Sequence, residues 1–358
     1  MSEIDIKKLL AEKKPTIDKR IERWIPKKFD MDFMKFVFGE PKYKFNLDCV
    51  NKTITEPIWE FLDRGGKRWR PSLFLLTVEA LGGDKDKVFD FVVIPEIIHN
   101  GTLFIDDIED RSELRRGKPC TYKIYGLDVT INTGNMMYYL PMLPLLKHRD
   151  KFDSETLLKV HETYIREMTN LSLGQAMDIA WHNGMCNADN LTEEEYLQMC
   201  AFKTGTLARM SAKIAAILSG ADDELTEKIG NYAETIGIAF QIQDDVLNLV
   251  EGEFTDKKGL GEDITEGKRS LPVIRSLRKA NEKDRKRLLE ILDMHTTDQD
   301  LRDEAIAIIK KYNSVEYAKE KSRKMIREAW KGVDKLLPES DAKRKLKAFA
   351  DYLVERKI

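Results

Sequence analysis

The sequence predicts an all-α protein, built as one large helical bundle. Two observations carry that expectation. Along most of the 358 residues, apolar side chains recur at intervals of three and four, the spacing of amphipathic helices, while period-two strand patterns are sparse. No linker or shift of composition marks a seam, so a single large domain over residues 46–358 is expected, with residues 1–45 as a separate helical lead-in.

The elements follow in order. The lead-in is charged and broken by Pro15, Pro26 and Pro41. Gly65-Gly66 and Gly82-Gly83 punctuate the next helices. A helix over 94–110 takes Pro95 in its first turn, where the missing N–H does no harm. Proline bends near 141–144 and polar turns near 183–190 separate further helices, and 232–249 forms another. The 251–268 segment, rich in Gly, Asp and Lys, reads as a mobile loop, and Leu271-Pro272 opens the helix after it. Residues 301–358 form an amphipathic, basic-rich tail. The charge runs at 282–290 and 342–346 are read as solvated helix faces.

Composition narrows the function classes. With 60 basic and 62 acidic residues the net charge is -2, so no global field draws the chain to nucleic acid or to an acidic membrane, and any anion site must be local. The four cysteines, Cys49, Cys120, Cys186 and Cys200, are widely spaced and lack metal-ligand spacing, which suits a reducing, cytoplasmic setting. No secretory signal is expected, and no stretch is read as approaching the ~20 apolar residues of a membrane span.

Two acidic clusters carry the chemistry. The first is Asp106-Asp107-Ile108-Glu109-Asp110, followed by Arg115-Arg116-Gly117; the second is Phe240-Gln241-Ile242-Gln243-Asp244-Asp245, followed by Lys258 and Glu266-Gly267-Lys268. At about 100° per residue, Ile94, Ile97, Ile98, Ile105 and Ile108 share one helix face. His99, Asp106 and Asp110 lie on the neighbouring stripe, the two aspartates side by side at i,i+4. Likewise Ile236, Phe240 and Leu247 share a face, with Asp244 within about 80° of it. Both acid pairs are therefore expected to point inward, where carboxylates need cations. Paired carboxylates with guanidinium and ammonium neighbours suit divalent metal held against a polyphosphate; Mg2+ takes one or two carboxylates together with substrate phosphates. Gly65-Gly66-Lys67-Arg68-Trp69-Arg70-Pro71 adds cations beside a flexible double glycine, and with His99 and Arg116 it suits a diphosphate held without metal.

These motifs, in this order, resemble the trans-isoprenyl diphosphate synthases: G-G-K-R-x-R-P, E-x-I-H, D-D-x-x-D-x4-R-R-G-x-P, G-Q-x-x-D, K-T-G, F-Q-I-x-D-D, K-x-x-G-x-D-I and E-G-K. The likeness runs from about residue 50 to the C-terminus, where Ala350-Asp351-Tyr352 and Glu355-Arg356 also fit. It implies an isoprenoid-synthase bundle around a deep central cavity, usually a homodimer. It implies that Lys67, Arg70, His99 and Arg116 bind isopentenyl diphosphate. Asp106, Asp110 and Asp244 bind Mg2+, three ions with substrate bound, with Asp107, Asp178 and Asp245 in support. Arg115, Lys203, Lys258 and Lys268 grip the allylic diphosphate, and Thr204 and Gln241 present oxygens to the developing cation. The reaction implied is the head-to-tail condensation of isopentenyl diphosphate with an allylic diphosphate.

One departure bears on the third metal: Asn248 ends the second cluster in place of aspartate, leaving that ion mainly to Asp244. Product length is expected to depend on what lies below Asp106. Thr102, Gly101 and Ile98 sit roughly 6, 7 and 12 Å along the helix axis from it. The first two are small where farnesyl-making relatives tend to carry aromatics, so geranylgeranyl diphosphate is the expected product, with farnesyl diphosphate as a second product. A floor is sought in Ile98 or in Met136-Met137-Tyr138-Tyr139. A longer-chain synthase is the alternative. A class I terpene cyclase ranks lower because it leaves the second set of cations unexplained, and a non-catalytic regulatory partner lower still because the first acidic motif is intact.

Overall fold

The computed structural model describes residues 4–250 and 260–355. It is helical throughout apart from one two-stranded hairpin, as the periodicity predicts. The described residues fall into two compact units. One comprises those up to Val160 together with Ile217–Gly220; the other comprises His161–Ala216 and those from Ala221 onward.

In the first unit, the helix Ile6–Trp24 buries Ile6, Leu9, Leu10, Ile17, Ile21 and Trp24. It runs straight through Pro15, which was expected to break it. Proline removes one internal hydrogen bond and crowds the preceding turn. The buried side chains on both sides of it hold the helix together, and Asp5 caps its start by accepting from the Lys8 N–H. Ion pairs tie this helix into the unit: Lys13 to Glu79 at 3.0 Å, Arg20 to Asp90 at 2.8 Å and Asp18 to Arg68 at 2.7 Å.

The helix Val93–Glu109 forms the spine of this unit, with Pro95 in its first turn. Its burial differs from the expected stripe. Ile94, Ile97 and Ile98 are fully buried, but Ile105 and Ile108 are only half-buried, while Glu96, Asn100, Phe104 and Asp107 are buried. The inward face thus rotates toward Asn100, Phe104 and Asp107, because polar partners waiting there make it tolerable to bury those groups. Lys85–Glu109 is also apolar enough, at a mean hydropathy of 1.5, to pass by composition for a membrane span, which the sequence reading overlooked; 72% of its apolar window is buried within the protein, as in a core helix.

The second unit takes in the described chain from His161 onward except Ile217–Gly220. Thr192 and Glu195 form a capping box at the start of the helix Glu193–Cys200, which runs into a π-helical turn, Ala201–Gly205. The helices Thr206–Leu218 and Asp223–Asn248 follow, then Glu262–Thr265, Leu271–Lys279, Glu282–Asp293, Gln299–Lys311, Ser314–Val333 and Asp341–Glu355. On Asp223–Asn248 the sequence reading favoured Phe240 and Leu247 as core; both are half-buried, and Ile242 and Val246 are the fully buried positions beside Ile236. Leu271-Pro272 does open a helix. The loop expected over 251–268 is described only from Leu260 onward; Lys258, like Arg356, lies outside the described residues. All four cysteines are free, with Cys120 and Cys200 buried.

Candidate active site

In the first unit the functional side chains gather around the spine helix. Leu114-Arg115 and Lys118-Pro119 pair as a hairpin whose two-residue loop is Arg116-Gly117. Both loop residues have positive φ, 55° and 76°, the pattern of the tight turn that suits the twist of paired strands. This hairpin, unforeseen from the sequence, turns adjacent arginines to separate tasks. Arg115 donates through Nε to Asp107 at 2.7 Å and pairs with it through Nη2 at 2.5 Å, with Asp106 at 3.9 Å. Burial opposes the Arg115 charge, but Asp107 and then Asp106 hold its pKa above the ordinary arginine value. Arg116 donates to the Gly65 carbonyl at 2.6 Å and to Asn100 Oδ1 at 3.1 Å.

Arg70, Arg116 and His99 form a cationic cluster. Burial, opposed by Glu96 and aided by repulsion from Arg116, pulls the Arg70 pKa down to about 10. Burial, opposed by Glu96 and aided by repulsion from Arg68 and Arg115, brings Arg116 down to about 10 as well. Burial and then Arg70 and Arg116 push the His99 imidazole well below the ordinary histidine value. These three basic groups discourage one another's charge, a repulsion that an anion set among them would relieve. Lys67 is exposed at the tip of the loop that leads to Arg70.

The sign of the His99 shift makes a prediction. A bound anion raises the depressed pKa, so binding takes up a proton and strengthens as pH falls through the range where free His99 is neutral. Calorimetry of inorganic diphosphate binding near pH 6.5 in two buffers is expected to show proton uptake that is smaller in His99→Gln. Equal uptake by both proteins would remove His99 from the site.

The acidic pair sits at the end of the spine helix. Asp106 and Asp110 are half-buried, and Asp110 caps the helix, donating its N–H to the Asp106 carbonyl at 2.8 Å. Asp107 is buried and committed to Arg115.

In the second unit Lys203 pairs with Asp178 at 2.5 Å. Burial disfavours the Asp178 charge, but Lys203 and Lys268 hold its pKa below the usual carboxylate value. Lys268 pairs with Glu266 and stands 3.9 Å from Asp263. Lys203 and Thr204 both lie in the π-helical turn, a feature found often at functional sites because it redirects successive side chains. Two glycines from neighbouring helices make room for that turn: a Cβ at Gly174 would lie 2.3 Å from the Lys203 nitrogen, and one at Gly237 would lie 2.6 Å from Gly205 Cα.

A hydrogen-bond chain leads from this turn. Thr204 donates to Gln241 Oε1 at 2.9 Å, Gln241 Nε2 donates to Asp245 Oδ1 at 2.9 Å, and the Tyr196 hydroxyl donates to Asp245 Oδ2 at 2.6 Å. Burial and then the nearby Asp263 push Asp245 up to about 7. Asp244 is half-buried on the same helix. The Asn248 amide oxygen accepts from the Asp263 N–H at 3.1 Å, so the residue standing in place of aspartate ties this helix to the first turn of Glu262–Thr265.

The sequence reading did not single out Tyr196, Asn100 or Asp18, and it took in Glu96 only as the first residue of the E-x-I-H motif, without a role. A tyrosine seven residues before Lys203 was the available signal for the first; Asp18 and Glu96 act through Arg68, distant in sequence from both, and Asn100 bonds to Glu96 one turn away and to Arg116 beyond the helix.

A family model described as polyprenyl synthetase matches residues 51–309. The chain belongs to that family. It is a trans-isoprenyl diphosphate synthase, a prenyltransferase, as the ordered motifs imply. The chain is 34% identical over 309 residues to a short chain isoprenyl diphosphate synthase of Methanothermobacter thermautotrophicus, covering 86% of this chain and 92% of that one. A geranylgeranyl diphosphate synthase of Saccharolobus solfataricus is 31% identical over 307 residues, 86% of this chain and 91% of its own. The crystal structure of geranylgeranyl pyrophosphate synthetase from Pyrococcus horikoshii superposes with a TM-score of 0.84 at 32% identity, covering 98% of each chain. In this prenyltransferase the placements of Thr102, Gly101 and Ile98 differ in kind. Ile98 is fully buried and Thr102 half-buried, its hydroxyl donating to the His99 carbonyl. Gly101 does not border open space: a Cβ there would meet Met137 Cβ at 2.8 Å and the Gly134 carbonyl at 3.0 Å. Its smallness lets the spine helix approach the helix Leu127–Tyr139.

Proposed function

We propose that the chain condenses isopentenyl diphosphate head-to-tail with an allylic diphosphate to make geranylgeranyl diphosphate. The observation that carries this reading is the cluster of Arg70, Arg116 and His99. It is a concentration of mutually repelling basic groups additional to Arg115, Lys203 and Lys268. A terpene cyclase, with one diphosphate to bind, leaves it without a task. Relatives named as geranylgeranyl diphosphate synthases support the product.

Lys67, Arg70, His99 and Arg116 are assigned to isopentenyl diphosphate. Arg115, Lys203 and Lys268, with Lys258 beyond the described residues, are assigned to the allylic diphosphate. Among the described residues no three His, Cys, Asp or Glu side chains converge as a closed metal site. The half-buried Asp106 and Asp110, i,i+4 on one helix, and the half-buried Asp244 on another are assigned to Mg2+, an ion that takes one or two carboxylates together with substrate phosphates. When bound there, Mg2+ supplies Lewis-acid stabilisation of the departing diphosphate. The remaining work belongs to side chains. Lys203 and Lys268 neutralise charge that grows on the leaving oxygens, and Thr204 and Gln241 turn oxygens toward the allylic cation. The double bond of isopentenyl diphosphate then attacks that cation. A proton leaves the adduct, for which the released diphosphate is the available base.

A homodimer is part of the proposal. Leu127 and Ile131 lie exposed one turn apart, and Ile165 and Leu173 are exposed on their own helix.

The test is incubation with Mg2+, isopentenyl diphosphate and, separately, allylic primers of five, ten and fifteen carbons, with product length read by mass spectrometry. A twenty-carbon product is expected. Failure to extend any primer would return the cyclase reading. With Gly101 engaged by the neighbouring helix, product length is assigned to Thr102 over the fully buried Ile98. Thr102→Phe is expected to shift the main product from twenty to fifteen carbons; an unchanged product would discard this account.

A further inference from the structure

The loop that carries Lys67 and Arg70 is held by the residue between them. Arg68 has a left-handed backbone, φ 51°, and its side chain is buried while Lys67 is exposed. A non-glycine residue keeps that backbone only where its surroundings over-determine it. Here they do. Arg68 Nε donates to Asp18 Oδ1 at 2.7 Å, and Nη1 donates to Glu96 Oε1 at 2.9 Å and to the Gly65 carbonyl at 3.4 Å. Nη2 donates to the Leu62 carbonyl at 3.3 Å. The guanidinium thus joins the start of its own loop to two carboxylates from elsewhere in the unit. The Gly65 carbonyl also accepts from Arg116, and Glu96 Oε1 also accepts from Asn100 Nδ2, while Asn100 Oδ1 accepts from Arg116. One connected network therefore fixes both the loop bearing Lys67 and Arg70 and the Arg116 fork. Its outermost member is Asp18, on the helix Ile6–Trp24 that precedes all the recognised motifs. Lys14, one turn before Asp18, holds the carboxylate from the other side at 2.6 Å.

We infer that Asp18 is a positioning residue for isopentenyl diphosphate, acting through Arg68 on the loop of Lys67 and Arg70 and on Arg116. The N-terminal helix is then a strut of the site. The inference rests on the proposed assignment of those cations to isopentenyl diphosphate. It differs from general anchoring, because the same helix is tied down elsewhere by Lys13–Glu79, which touches none of the network.

The experiment compares Asp18→Ala, Asp18→Asn and Glu79→Gln with wild type. It uses steady-state kinetics for each substrate and direct calorimetry of isopentenyl diphosphate on the unprimed enzyme. Asp18→Ala is expected to raise KM and Kd for isopentenyl diphosphate about tenfold. The allylic KM, and kcat at saturation, should stay unchanged. Asp18→Asn, which keeps an acceptor oxygen, should recover part of the affinity, and Glu79→Gln should match wild type. An unshifted Asp18→Ala, an equal loss for both substrates, or the same loss in Glu79→Gln would overturn the inference while leaving the functional reading intact. A wild type that elongates no primer would overturn the functional reading, and this inference with it.

Discussion

Asp106→Ala is expected to lower turnover by about a hundred- to a thousandfold while leaving the fold intact, and Asp107→Ala is expected to do damage of a different kind. The two carboxylates are adjacent in sequence but face different surroundings. Asp106 is half-buried and stands 3.9 Å from Arg115, which keeps its near partner Asp107 when Asp106 is removed. On the proposed assignment, what is lost is a magnesium ligand and the stabilisation of the departing diphosphate, and losses of one such contribution are commonly about a hundred- to a thousandfold. Asp107 is buried and holds the largely enclosed Arg115 through two short contacts. Taking one partner from such a pair leaves the other desolvated and uncompensated, which destabilises by about 3 kcal/mol or more. Single-turnover rates and urea unfolding of both variants test the contrast. If Asp106→Ala unfolds as readily as Asp107→Ala, or retains wild-type turnover, the assignment of Asp106 to the metal is wrong.

The same pair shows what the sequence could tell and what it could not. Helical spacing located both acidic helices, and residue chemistry picked out the cations, because both signals are local. Burial is not local. Periodicity put Ile105 and Ile108 in the core with Asp106 and Asp110 on the stripe beside them and gave Asp107 no place, whereas the structure buries Asp107 against an arginine that a tight hairpin turns back onto it. Nothing in the residue order announces that Arg116 and Gly117 take positive φ together. The lead-in was hardest to read. Its Asp18 meets Arg68 fifty residues away and its Arg20 meets Asp90 seventy away, pairings visible only once the chain is folded. Pro15 also argued for a break that buried side chains on either side prevent. Gly101 was misread for a related reason. A small residue signals space in a sequence, but here the space is taken by Met137 and Gly134 of a neighbouring helix.

Glycine smallness is put to its most demanding use at Gly174, where alanine is expected to weaken both the fold and the chemistry. On a helix, alanine ordinarily improves on glycine by up to about 1 kcal/mol. At Gly332, near the end of the helix Ser314–Val333 with nothing within 4 Å of the added carbon, that gain should appear. At Gly174 the added carbon would lie 2.3 Å from the Lys203 nitrogen, 2.6 Å from the Phe202 carbonyl carbon and 2.8 Å from Lys203 Cα. All three are backbone atoms, so no rotamer change relieves the overlap and the π-helical turn itself must move. Overpacking of this kind destabilises by about 1–3 kcal/mol, enough to reverse the helix-propensity gain. The displaced turn carries Lys203 and Thr204, together with the bonds from Lys203 to Asp178 and from Thr204 to Gln241. A shift of about an ångström in such groups can lower turnover about a hundredfold. Unfolding midpoints of Gly174→Ala and Gly332→Ala should therefore move in opposite directions, and only the first should lose kcat. A Gly174→Ala enzyme with wild-type turnover would mean that the turn can shift without moving the groups it presents, and Lys203 and Thr204 would then lose their assigned part in ionising the allylic substrate.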